Sequence, residues 1–146
     1  MQMQSQAPSQ GTPPGAPRAA GSLDATIQEV ARCDPTRPVL RDLRVQGQAV
    51  VHTYGDADRR IDRLASHIAS LPGPLVGVML STSADCLWLV YAVMRAGKDV
   101  LLLDPEWGSR AQEAVATATA LGAIVADFPV TGPLAELQVA LDLRPE

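Results

Sequence analysis

The chain has 146 residues, of which 47% are hydrophobic and 19% charged, with a formal net charge of −4. That length suits one domain of about 100–150 residues, and that much apolar material excludes wholesale disorder. An acidic chain with Lys98 as the single lysine among twelve basic residues lacks the electrostatic footprint of a nucleic-acid or anionic-membrane binder.

Residues 1–21 contain no Leu, Ile, Val or aromatic residue and only Arg18 as a charge. Such a segment cannot bury enough surface to offset its ordering entropy, so it is expected to be a flexible leader, with 22–146 as the folded part. Its polar character is also wrong for a signal peptide, and no later run reaches the ~18–20 apolar residues of a membrane span. Cys33 and Cys86 are far apart and read as the reduced thiols of a cytoplasmic protein. The two histidines have no Cys or carboxylate at ligand spacing, so no metal site is expected.

Ser22 is a suitable N-cap for a helix carrying Leu23, Ile27, Val30 and Ala31, which Asp34-Pro35 would end. Two strands are expected at Val39 to Val45 and Gln48 to Thr53, joined around Gln46-Gly47. Ala57, Ile61, Leu64, Ala65 and Ile68 then form one apolar stripe at helical spacing. Thr53 and Asp56 have capping-box spacing at the start of that helix, where Asp56 and Asp58 also suit the positive end of the dipole. Pro72-Gly73-Pro74 would stop it.

Leu75 to Leu80 reads as a buried strand. Ser81-Thr82-Ser83 would cap the next helix, whose body from Cys86 to Met94 is apolar on nearly every side and should therefore be covered by other elements. Gly97 is its expected C-terminal stop. Val100 to Leu103 shows no alternation, as in a parallel strand covered on both faces. An Ala-rich helix is expected from Ser109 to Leu121, stopped by Gly122, then a short strand at Ala123 to Ala126. Gly132-Pro133 would open a last helix with Leu134, Leu137 and Leu141. Helices alternating with short buried strands imply an α/β fold with a mostly parallel sheet and helices on both faces.

Chemical signals are sparse. The sequence has no G-x-G-x-x-G and no G-x-x-x-x-G-K-[ST] to cradle a phosphate, and Ser81 and Ser83 lie outside any G-x-S-x-G context. His52 and His67 have no sequence partner that would make either a general base. Asp104 follows a buried strand, where open α/β sheets place functional groups, but Asp104-Pro105 is also a turn former. Trp88, Tyr91 and Met94 at helical spacing read as core, whereas Trp107 lies in the loop after Asp104-Pro105.

Thr53-Tyr54-Gly55-Asp56 leading into Arg63-Leu64-Ala65 resembles the first conserved block of the adenylate-forming superfamily. Acyl-CoA synthetases and the adenylation domains of nonribosomal peptide synthetases belong to it. Val93-Met94-Arg95-Ala96-Gly97 and Leu103-Asp104-Pro105 resemble its second block, and the likeness runs over about 22 to 127. Asp56 and Ala57 stand where the family has Glu and Leu, Lys98 to Leu102 replaces its small-aromatic-Val-Pro run, and its Pro-x-x-Arg survives only as Arg110. The resemblance implies the N-terminal subdomain of a domain that activates a carboxylic acid with ATP and Mg. The family's phosphate loop, adenine, ribose and Mg sites and catalytic lysine lie further along than Glu146. It therefore implies no catalytic, cofactor-binding or metal residue here. Thr53, Tyr54, Asp56, Ala96, Gly97, Asp104 and Pro105 are implied to be scaffold.

Two readings follow: a non-catalytic section of an acid-activating domain with a structural or interaction role, or half of a split ligase. An independent small α/β protein that binds a nucleotide or a partner is the alternative. Fully apolar strands in so short a chain also suggest self-association or a second protein chain, with Leu101, Leu103 and Trp107 as contact candidates.

Overall fold

The computed structural model describes residues 22–43, 47–81 and 83–143. The expected leader, the turn residue Gln46 and the end of the first expected strand lie outside the described residues.

Helix α1 (Leu23–Cys33) starts at Ser22, whose side chain accepts a hydrogen bond from the Ala25 amide, and ends at Asp34. Strands β1 (Pro38–Asp42) and β2 (Val50–Thr53) form a short antiparallel pair, narrower than the sequence suggested. Helix α2 (Tyr54–Ala69) buries the whole Ala57–Ile68 stripe. Its cap is the expected one: Thr53 Oγ1 accepts from the Asp56 amide at 3.2 Å and donates to Asp56 Oδ2 at 2.7 Å. The Thr53 hydroxyl above all, with its backbone amide and the Arg59 charge, holds the Asp56 carboxyl below its ordinary range against the opposing effect of burial. A depressed carboxylate stabilises the fold above its unfolded pKa and loses that contribution as pH falls through the folded value. Thr53→Ala should cost about 1 kcal/mol of stability near neutral pH by urea unfolding, and less below the carboxylate range.

Strands β3 (Leu75–Met79), β4 (Asp99–Leu102) and β5 (Leu121–Ala126) make a parallel sheet in the order β4-β3-β5. Helix α3 (Ala84–Arg95) connects β3 to β4, and α4 (Ser109–Ala118) connects β4 to β5. Val76 and Val78 of β3 pack with α1, α2 and α3 on one face. Met79, Leu103 and Ile124 pack with Val115 of α4 and Leu134 on the other. Helices on both faces of a parallel sheet is the expected architecture.

Gly97, at φ 77, closes α3: its amide donates to Met94 O, and the Lys98 amide reaches Val93 O at 3.1 Å. Only a residue free of a Cβ penalty adopts that left-handed turn cheaply.

Three expectations fail near the C-terminal end. Helix α4 stops at Ala118, because Thr119 is extended and its hydroxyl caps Val115 O. Gly122 therefore lies inside β5 instead of ending the helix. The last helix is a 3-10 turn, Gly132–Leu137, and Leu141 lies beyond it. There Gln138 leaves the turn extended, bridges parallel to Ile124, and the Val139 amide donates to Ile124 O, so the chain satisfies the outer edge of β5. The expected full cover of α3 is also incomplete, since Leu87 is exposed.

Candidate functional site

The direction of the sheet reverses between β3 and β5, since β3 connects to β4 on one side and the chain returns to the other. Open α/β sheets bind ligands outside the carboxyl ends of strands at such a reversal. Here Ser81, just past β3, donates its hydroxyl to Asp127 Oδ2 at 2.7 Å, just past β5, and its amide lies 3.5 Å from Oδ1. Beside them is a cleft of about 580 Å³ lined by Asp85, Asp127, Phe128, Gln138, Leu141 and Asp142, among others. Gln138 fixes its wall by accepting from the Val130 amide and donating to Phe128 O. Arg60 donates to Asp85 at 2.6 Å and to Leu143 O.

Among the described residues, this arrangement holds no activated nucleophile. Burial, then the Asp127 charge, pushes the Cys86 thiol above its ordinary value, which keeps it protonated near neutrality. His52 packs edge-on to Trp88 at 5.8 Å, and His67 is exposed on α2. No group of His, Cys, Asp and Glu suited to a metal ion occurs among the described residues. The cleft is lined by three aspartates, Asp85, Asp127 and Asp142, with Arg60 paired to Asp85 beside it.

The family-motif residues lie apart from the cleft. Thr53 and Asp56 cap α2, and the Tyr54 amide ties that cap to Arg37 O. Ala96 is the C-cap of α3 and Gly97 the turn after it. Asp104 Oδ1 accepts from the Glu106 amide at 2.9 Å, and Asp104 O accepts from the Trp107 amide, turning the chain through Pro105.

The contact candidates mostly face inward. Leu103 is only 4% exposed, Leu101 is half-buried, and both pack with half-buried Trp107 in the α4-side cluster. Strand alternation sends Leu102, 59% exposed, outward instead.

Two pairings have no local sequence signal. Ser81 and Asp127 are 46 positions apart, although each directly follows an apolar run. Arg95 joins three helices: Nε and Nη2 reach Asp24 Oδ1 at 3.0 and 2.8 Å, and Nη2 reaches Asp58 Oδ1 at 2.8 Å.

The model of the AMP-binding enzyme family matches residues 27–144. The chain belongs to that family. Among curated proteins it is similar to the phosphinothricin tripeptide synthetase PhsC of Streptomyces viridochromogenes, 33% identical over 94 residues. Those residues are 62% of this chain and 8% of PhsC. Among solved structures, CmiS6 superposes with TM-score 0.66 at 18% identity, over 83% of this chain and 33% of that one. The NpsA N-terminal subdomain of Klebsiella oxytoca also gives 0.66, at 16% identity, over 81% of this chain and 30% of that one. These likenesses establish the fold as that of the N-terminal subdomains of adenylate-forming enzymes. The 146 residues thus correspond to part of an AMP-binding domain. No described helix is long and apolar enough to cross a membrane.

Proposed function

We propose that these residues supply the N-terminal scaffold of an adenylate-forming domain and do not catalyse by themselves. The reaction of the complete domain is ATP-dependent activation of a carboxylic acid as its acyl adenylate, with Mg. The active groups come from outside these residues, on the same polypeptide or on a second protein chain. What carries this reading is that the motif residues Thr53, Asp56, Gly97 and Asp104 all spend their polar groups on caps and turns.

The test is acid-dependent exchange of pyrophosphate into ATP. The purified chain is expected to give no exchange above the blank with any carboxylic acid. Robust exchange by the chain alone, free of contaminating ligase, overturns the proposal.

A further inference from the structure

We infer that residues 138–143 form a flap, latched by Arg60, that opens as one unit and takes with it a wall of the cleft beside Ser81 and Asp127. The flap follows the 3-10 turn as extended chain. Its burial alternates: Val139, Leu141 and Leu143 are half-buried, whereas Ala140 and Asp142 are exposed. That period of two is a strand's, and the three inward side chains pack on the helix-side core. Yet the segment meets β5 at one isolated bridge, Gln138 opposite Ile124, where the Val139 amide donates to Ile124 O at 2.9 Å. None of its side chains is fully buried, so it has neither the ladder nor the burial that holds β3. Segments with few backbone bonds and shallow burial open at a lower free energy than the core.

Two side chains fasten it. Arg60 of α2 is 14% exposed at its side chain, and its Nη2 donates to both Asp85 Oδ1 and Leu143 O. One guanidinium thereby ties the far end of the flap to α2 and α3. The same Arg60 keeps Nε buried without a hydrogen-bond partner among the described residues, which costs free energy in the closed state. At the near end Gln138 grips the 128–130 segment. Its Nε2 donates to Phe128 O at 2.9 Å and its Oε1 accepts from the Val130 amide at 2.8 Å.

These fastenings couple the flap to the cleft. Gln138, Leu141, Asp142 and Leu143 line one side of it, and the 126–129 segment with Asp85 lines the other. When the flap lifts, the first side leaves and the second loses its tie to Gln138, so one wall is lost and the other loosened.

Amide hydrogen exchange, followed by NMR on the whole chain at low urea concentration, tests this. The Val139 amide reports on the flap and the Val130 amide on the opposite side of the cleft. Both should open together and be at least about tenfold less protected than Leu64 in the middle of α2. Arg60→Met should lower both protection factors, relative to Leu64, by the same further factor of about tenfold. Arg60 donates to Asp85 and Leu143 O, not to either reporting amide, so an equal shift at both is the mark of a single opening unit. Arg59→Met, at an exposed arginine one position away, should change neither.

Should the Arg60→Met chain not fold, Leu141→Ala, which trims the middle of the flap, replaces it with the same expectation. Protection at Val130 and Val139 equal to that at Leu64 would mean that the flap leaves only when the whole domain unfolds, and would overturn the inference. Unequal shifts at the two amides, or no shift at either, would also overturn it, because 138–143 and 128–130 would then move independently of each other or of the latch.

Discussion

Replacing Arg95 with methionine is expected to lower stability by about 3–5 kcal/mol, the range for breaking a buried ion pair by removing one partner. Arg95 is 9% exposed and Asp24 5% exposed at their side chains, and the guanidinium also donates to Asp58 O at 3.1 Å. Burial works against the charge of Arg95, but hydrogen bonds and charges from Asp24 and Asp58 outweigh it and raise its pKa above the ordinary value. A raised basic group contributes stability below its unfolded pKa and loses it only above the folded one, so the clasp stays intact across the physiological range. Small domains have about 5–15 kcal/mol in total, so this one change removes a large part of it. Arg95→Lys should recover little, because one ammonium cannot reproduce the fork that reaches α1 and α2 together. The double variant Asp24→Asn with Arg95→Met should lose less than the sum of the single changes, since neither charge is then left buried alone. Urea midpoints followed by circular dichroism measure the parent, the three single variants Arg95→Met, Arg95→Lys and Asp24→Asn, and the double variant. A loss for Arg95→Met no larger than that of an exposed arginine would remove the clasp from the account of what joins the three helices.

The clasp also shows where sequence reading stops. The α2 stripe, the Thr53–Asp56 cap and the Gly97 turn depend on residues a few positions apart, so spacing alone exposes them. Arg95 lies 71 positions from Asp24, so nothing local distinguishes a buried clasp from a solvated helix end. The Ser81–Asp127 pair was hidden for the same reason, because only the strand order β4-β3-β5 brings those two strand ends together. The unbroken apolar run of β4 gives no phase, and one residue of phase exchanges the two faces of a strand, so the sequence alone does not say that Leu101 and Leu103 share the α4-side cluster while Leu102 is exposed. Glycine after an Ala-rich helix usually stops it, so Gly122 reads as a helix stop in the sequence. Its actual role is set by a loop 50 positions earlier in the chain, and the consequence of that contact is severe.

Gly122→Ala is expected to destabilise the fold by about 3 kcal/mol or more, at the upper end of overpacking effects. A Cβ at that position would lie 2.1 Å from Pro72 O, 2.9 Å from Pro72 C and 3.2 Å from Gly73 Cα. All three obstacles are backbone, so no side-chain rotation relieves them. The loop they belong to is also pinned from its other side. The Lys98 ammonium donates to Leu71 O at 2.7 Å and to Gly73 O at 2.6 Å, and the Asp99 amide donates to Pro74 O at 2.8 Å. The single lysine of the chain is thereby a strap over the turn between α2 and β3, and β5 can approach that turn only with a glycine. Gly108 provides the contrast: an added Cβ there meets nothing within 4 Å, so Gly108→Ser should change stability by only a few tenths of a kcal/mol. Lys98→Met releases the strap, and in that background Gly122→Ala should cost less than it does alone, because the loop can then move aside. Four urea curves complete this cycle. Strict additivity of Lys98→Met and Gly122→Ala would mean that the strap does not hold the loop against β5, and a Gly122→Ala chain as stable as the parent would mean that the two backbones are not in contact in solution.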